Sequence, residues 1–119
     1  MAKRTEQDIA AQVVEWLSGG EWEIYQEVQP SRNERVADIV AVRGSVYWII
    51  ETKRSLSISV LEQAWSWSGH SHLRSVAVPA LKRSNNPFRG TNFRPRRFAQ
   101  TVAKEFGIGV ITINDGWID

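Results

Sequence analysis

The sequence predicts an α/β fold, a central mixed β-sheet flanked by helices in the order α-β-β-β-α-β-α-β. Three observations carry that expectation. Segments with apolar residues at helical spacing are interleaved with short apolar runs of strand length. Two of those runs are separated only by Arg43, Gly44 and Ser45, a tight turn that folds them back as an antiparallel hairpin. The later strands are each preceded by a helix, the crossover that parallel neighbours require. The chain has 119 residues, the size of one ordinary domain, so residues 1–119 are read as a single unit.

Each element follows from local pattern. "RTEQDIAAQVVEWLSGG" reads as the first helix: Thr5 caps it, Ile9, Ala10, Val13 and Leu17 form its stripe, and Gly19-Gly20 stop it. "EWEIYQEVQ" reads as a strand with Trp22, Ile24 and Tyr25 as apolar contributors, ended by Pro30. "ERVADIVAVRG" and "SVYWIIETK" are the hairpin strands. "SVLEQAWSWSGH" reads as the second helix, with Ser59 and Glu62 spaced as a capping box and Gly69 near its end. "LRSVAVPA" is a short buried strand. "PRRFAQTVAKEFG" is the third helix, with Pro95 in its first turn, Phe98, Val102 and Phe106 on a core stripe, and Gly107 at C′. "IGVITIN" is the last strand.

Composition narrows the function classes. Hydrophobic residues make up 42% of the chain and six are Trp, enough for a packed core. The absence of cysteine excludes disulfides, thiolate metal sites and a cysteine nucleophile, and suits a reducing compartment. "MAKRTEQD" is not followed by an apolar targeting segment, and the longest apolar run, "VYWII", falls far short of the ~20 residues that span a bilayer. The expectation is a cytoplasmic protein with no membrane association. Net charge is only +2, yet the six basic residues between Lys82 and Arg97 are accompanied by no Asp or Glu. Such a stretch suits a phosphate-bearing partner, although a solvated loop has the same composition.

The chemistry gathers around "VADIVAV" and "WIIETKRSLS". Strand periodicity puts Ile49, Glu51 and Lys53 on one face, and Asp38 interrupts an apolar alternation with Val36, Val40 and Val42. A hairpin turning at Gly44-Ser45 sets Asp38 opposite residues 50–52. Two neighbouring carboxylates repel and need a cation between them. A hard divalent ion held by such oxygens polarises a phosphate and acidifies an attacking water. A lysine alongside orients that water and balances developing charge. The plainer alternative is a solvated strand end with Asp38 paired to an arginine.

In this order of elements, the two motifs resemble those of the PD-(D/E)XK nuclease superfamily, whose fold is restriction-endonuclease-like. The resemblance spans about residues 5–79, and "FAQTVAKEFGIGVITI" is similar to the final helix and strand of many members. One departure is Ala37, where the motif's name has proline. The resemblance implies a metal-dependent DNA endonuclease using Mg²⁺ or Mn²⁺ and leaving a 5′-phosphate and a 3′-hydroxyl. Asp38 and Glu51 would bind the metal, the Thr52 carbonyl would add a ligand, and Lys53 would assist the water. Glu6 falls on the helix stripe where members similar to archaeal Holliday-junction resolvases carry a metal-reaching glutamate; a first-turn acid also suits the helix dipole. Gln63, on the flank of the second helix, matches a supporting glutamine of several nuclease families.

Lys82, Arg83, Arg89, Arg94, Arg96 and Arg97, interleaved with aromatic residues, are the expected DNA contacts. His70 and His72 lack a third nitrogen or sulfur ligand nearby and read as polar residues after a helix. One site per chain makes a symmetric homodimer the simplest way to cut both strands, with exposed members of Trp16, Trp22, Trp65 and Trp67 as interface candidates. A different class stays open: a DNA-binding or assembly protein that keeps the fold and cleaves nothing.

Overall fold

Caps and turn residues start and stop the elements of this chain. The computed structural model describes residues 5–29, 35–69, 71–80, 93–114 and 117–118, with backbone alone for 93–96 and 117–118. Helix α1 (Glu6–Ser18) begins at a reciprocal cap: Thr5 Oγ1 accepts from the Asp8 amide at 3.1 Å, and the Asp8 carboxylate accepts from the Thr5 amide at 2.9 Å. Gly19 ends it. Strands β1 (Glu23–Val28), β2 (Ala37–Arg43) and β3 (Val46–Thr52) follow. The β2–β3 turn is two residues long, with Arg43 paired to Val46 and Gly44 at φ +58°, a conformation that glycine adopts without strain.

Helix α2 (Ile58–Trp65) is shorter than its sequence pattern suggests and starts earlier. Its cap is Ser57, whose Oγ accepts from the Val60 amide at 3.3 Å; the expected Ser59–Glu62 box is not used. Ser57 lies one residue before the first helical residue, where the cap geometry operates, whereas Ser59 is already inside the turn. After β4 (Leu73–Pro79), α3 runs Phe93–Glu105, beginning two residues before the expected Pro95. Gly107 at φ +68° closes it, and the Ile108 amide returns to the Ala103 carbonyl at 2.8 Å. Strand β5 (Gly109–Asn114) is followed by a two-residue strand, β6 (Trp117–Ile118), that the pattern did not reveal.

The six strands form one sheet in chain order. β1, β2 and β3 are antiparallel, β3, β4 and β5 are parallel, and β6 returns antiparallel on β5. The mixed sheet and the order of elements through β5 are as the sequence predicts.

Strand alternation divides the core into two layers. Ile9, Val13 and Leu17 of α1 pack on Ile39, Ala41, Ile50, Ala77 and Ile111. The opposite face carries Val76 and Val78 against α2 (Val60, Leu61, Ala64) and α3 (Ala99, Ala103). One expected core stripe is corrected here. Phe98 and Phe106 are 63% and 55% exposed, because α3 buries its small residues Ala99 and Ala103 and so comes close to the sheet, leaving the phenylalanines on its flank. Among the described residues, no helix is long and apolar enough to cross a membrane.

Candidate active site at the end of strand β3

Strand β3 is the hinge of the topology, antiparallel to β2 on one side and parallel to β4 on the other. Open α/β sheets commonly take ligands outside the carboxyl ends of their strands. Ile39 pairs with Ile50, so one further step along the ladder sets Asp38 against Glu51, their side chains on the same face. The alternation that buries Ile49 also turns Glu51 inward. Glu51 is 5% exposed, one of three buried polar residues in the described chain.

The two carboxylates are held differently. Asp38, half-buried, uses Oδ2 to accept from the Thr52 amide at 2.9 Å and from Thr52 Oγ1 at 3.2 Å. Glu51 Oε1 accepts from the indole Nε1 of Trp67 at 2.8 Å. Burial, followed by the charge of Asp38, pushes the Glu51 pKa up to about 7; a hydrogen bond between the two carboxyl groups adds to the rise. The Trp67 N–H and the Lys53 ammonium act in the opposite sense and do not cancel it. Near neutral pH Glu51 therefore keeps a proton for part of the time unless a cation joins the site.

Lys53 follows β3 directly, and its amide continues the parallel ladder to the Ala77 carbonyl at 3.0 Å. Its Nζ lies 3.5 Å from Glu6 Oε1. Glu6 is thus part of this neighbourhood, although it is exposed, lying beyond the buried stripe of Ile9, Val13 and Leu17. A polar groove of about 410 Å³ opens here, lined by Glu6, Gln7, Gln26, Asp38 and Thr52 among others. Asp38 faces the groove and Glu51 is enclosed.

The donor set fits a hard divalent cation. It offers carboxylate oxygens, a raised proton affinity that a cation would relieve, and no soft ligand. Among the described residues, no three His, Cys, Asp or Glu side chains converge on one point. An ion at Asp38 and Glu51 would complete its shell with backbone or water oxygens, as Mg²⁺ commonly does.

The remaining expected site residues are more dispersed. Gln63 is half-buried on α2, and among the described residues no hydrogen bond joins its side chain to the carboxylates. Lys82, Arg83 and Arg89 lie outside the described residues, as does His70. Arg94 and Arg96 fall in the first turns of α3 instead of in a loop, and Arg97 is exposed on that helix. His72 serves the backbone: its Nδ1 accepts from the Tyr47 amide at 3.0 Å, and its own amide donates to the Tyr47 carbonyl at 2.8 Å. Of the tryptophans considered for an interface, Trp16 and Trp65 are about half exposed and Trp67 is buried.

Two site features escaped sequence reasoning. Trp67 reads as one more apolar residue near the end of a helix, and only the fold brings its N–H to Glu51. The Asp38–Thr52 bonds depend on a diagonal approach across the β2–β3 ladder, which alternation along one strand does not show.

No protein-family model and no curated protein matches the sequence. Among solved structures, the chain is similar to a repair endonuclease from Pyrococcus abyssi, with 13% identity and a TM-score of 0.62 over 96% of this chain and 49% of that one. It is also similar to a protein of unknown function, AF1548, with 16% identity and a TM-score of 0.60 over 87% of this chain and 55% of that one. The chain spans about half the length of each. At these identities the likeness shows a shared fold.

Proposed function

We propose that this chain is a metal-dependent nuclease that hydrolyses DNA phosphodiester bonds at the end of β3. The observation that carries the reading is the meeting of Asp38, Glu51 and Lys53 at the carboxyl end of one strand, within a fold shared with a repair endonuclease.

In this reading Asp38, Glu51 and the Thr52 carbonyl hold Mg²⁺ or Mn²⁺. When bound, that ion polarises the phosphate and lowers the pKa of a water. Thr52 fixes the Asp38 carboxylate through two donors, so its free oxygen is presented at one angle. Lys53 keeps a positive charge where the phosphorane-like transition state gains negative charge, and its Nζ orients the attacking water. Glu6, beside that ammonium, holds it near the groove until substrate arrives or joins the ion's outer ligands. Gln63 is a supporting residue. Arg97, with Lys82, Arg83, Arg89, Arg94 and Arg96, grips the phosphate backbone. A branched DNA such as a four-way junction is the preferred substrate class, by the resemblance to junction resolvases.

A homodimer supplies the second site that cutting both strands requires. Ile58 and Trp65 on α2, Phe98 on α3 and Phe106 just past its end are each 46–63% exposed. Taking about 200 Å² per side chain, they present roughly 400 Å², about half of what one partner brings to a standard interface. Sedimentation velocity is expected to show a dimer that Phe98→Glu turns into a monomer; a monomeric wild type rejects it.

The test of activity incubates wild type and Lys53→Ala with supercoiled, linear and four-way-junction DNA in Mg²⁺, Mn²⁺ or EDTA. Metal-dependent cleavage lost in the variant is the expected result. Cleavage in EDTA, or undiminished in the variant, overturns the mechanism. DNA binding with no cleavage in any metal leaves a DNA-binding protein of this fold.

A further inference from the structure

We infer that Trp67 is a positioning residue for the cation site, its indole N–H fixing the Glu51 carboxylate in the orientation that a divalent ion requires. This rests on the metal-site reading above and adds a residue to it.

Trp67 is 3% exposed and Glu51 5%, and the Nε1–Oε1 distance is 2.8 Å. A hydrogen bond to a carboxylate in so dry a place is directional and strong. Trp67 is itself immobilised, packed in one cluster with Ala37, Ile49 and Val40, from the two strands that carry Asp38 and Glu51. The Trp67 amide also bonds the Ala64 carbonyl at 3.2 Å, extending the turn that ends α2. The donor is therefore anchored by the sheet that bears the carboxylates and by the helix that follows them.

Chemical economy points the same way. A buried tryptophan needs an acceptor for its N–H, and a neutral group suffices, as Ser75 Oγ does for Trp48 Nε1 at 2.9 Å. Using a carboxylate adds the desolvation of a charge. That arrangement makes sense where the carboxylate has another task and must be held at one angle. With Oε1 engaged by the indole, Oε2 is the oxygen left for Asp38 or for a shared cation. Partners of this kind around a metal ligand typically change affinity or activity by about 10–100-fold when removed.

The experiment follows the indole N–H resonances of the full chain, which has six Trp. On adding Mn²⁺, the Trp67 indole signal is expected to broaden at the lowest ion concentration of the six, and Mg²⁺ to shift it along a saturable curve. Trp67→Phe, which keeps a ring and removes the donor, is expected to raise the Mn²⁺ half-saturation concentration roughly 10–100-fold. DNA binding measured in Ca²⁺ should stay within about twofold, and Trp48→Phe should leave the Mn²⁺ curve unchanged. The Mg²⁺ shift on the wild type decides the matter if Trp67→Phe does not fold.

A Trp67 signal that responds to metal while Trp67→Phe keeps the wild-type Mn²⁺ affinity overturns the positioning role and leaves the metal site standing. If no indole responds to either ion, the metal-site reading falls, and the positioning role with it.

Discussion

Two tryptophan N–H groups donate to oxygens at strand β3, Trp48 from the strand itself and Trp67 from just beyond α2, and they do so for different reasons. Near the hairpin turn, Trp48 donates to Ser75 Oγ and packs edge-on with Trp16 and Trp22, whose rings lie 6.1 and 5.4 Å away. The Arg43 guanidinium covers Trp22 at 4.3 Å. Every group there is neutral or solvated, so the cluster closes one end of the sheet without electrostatic cost. Three residues further along, Trp67 donates to a buried carboxylate that sits beside a second one. The first arrangement is explained by packing alone. The second costs the fold stability, and a buried acid with a raised pKa beside another carboxylate is a feature of sites with chemistry to perform.

The largest effect that would sharpen this contrast is on turnover. Lys53→Ala is expected to lower metal-dependent cleavage by roughly 10²–10⁴-fold, the range for losing a group that handles the proton or charge of the transition state. Ser75→Ala, on the neighbouring strand β4 where it accepts from Trp48, should leave cleavage within about twofold of wild type. Single-turnover rates on one DNA substrate compare the two variants; equal losses would erase the distinction.

The next effect concerns pH and stability in the absence of metal. The Glu51 pKa in the folded chain is raised from 4.5 to about 7. The folded state thus holds a proton that the unfolded state releases at lower pH. Stability is full below pH 4.5 and declines as pH rises through 7, by about 3 kcal/mol. Urea unfolding at pH 5 and pH 8 should show that decline in wild type and its near absence in Glu51→Gln. Trp48→Phe should lower stability equally at both pH values, since its acceptor does not titrate. A wild type equally stable at pH 5 and 8 would remove the electrostatic half of the contrast.

Smaller effects follow from single contacts. Thr52→Val removes the hydroxyl donor to Asp38 while keeping the amide donor, and should cost about 1 kcal/mol in chemical denaturation. The Lys53–Glu6 pair is largely solvated, so Glu6→Gln should change stability by less than about 0.5 kcal/mol. A larger loss would mean that the pair supports the fold as well as the groove.

Much of this architecture is legible in the residues themselves. Thr5, Gly19, Gly44 and Gly107 mark boundaries because caps and left-handed turns have strict local chemistry. The hairpin at Gly44-Ser45 is enough to bring Asp38 to Glu51, since antiparallel register is counted outward from the turn. What could not be read depends on contacts distant in sequence or on competition between equals. Ser57 and Ser59 carry the same cap chemistry, and the helix start decides between them. Phe98 and Phe106 look like core by size, yet Ala99 and Ala103 are the residues that let α3 approach the sheet. Glu6 is placed on the core stripe by helical angle alone, but the first turn of α1 projects toward Lys53. Trp67 meets Glu51 across 16 residues, and no local pattern announces which buried tryptophan will donate to an acid.

The most direct measurement is a calorimetric Mn²⁺ titration at pH 7.5 of wild type, Asp38→Asn and Glu51→Gln, with no DNA present. Saturable binding by wild type, with release of the fraction of a proton that Glu51 still holds at this pH, and loss of that binding in both variants is the expected result. Undiminished Mn²⁺ binding in either variant, or none in the wild type, contradicts the account.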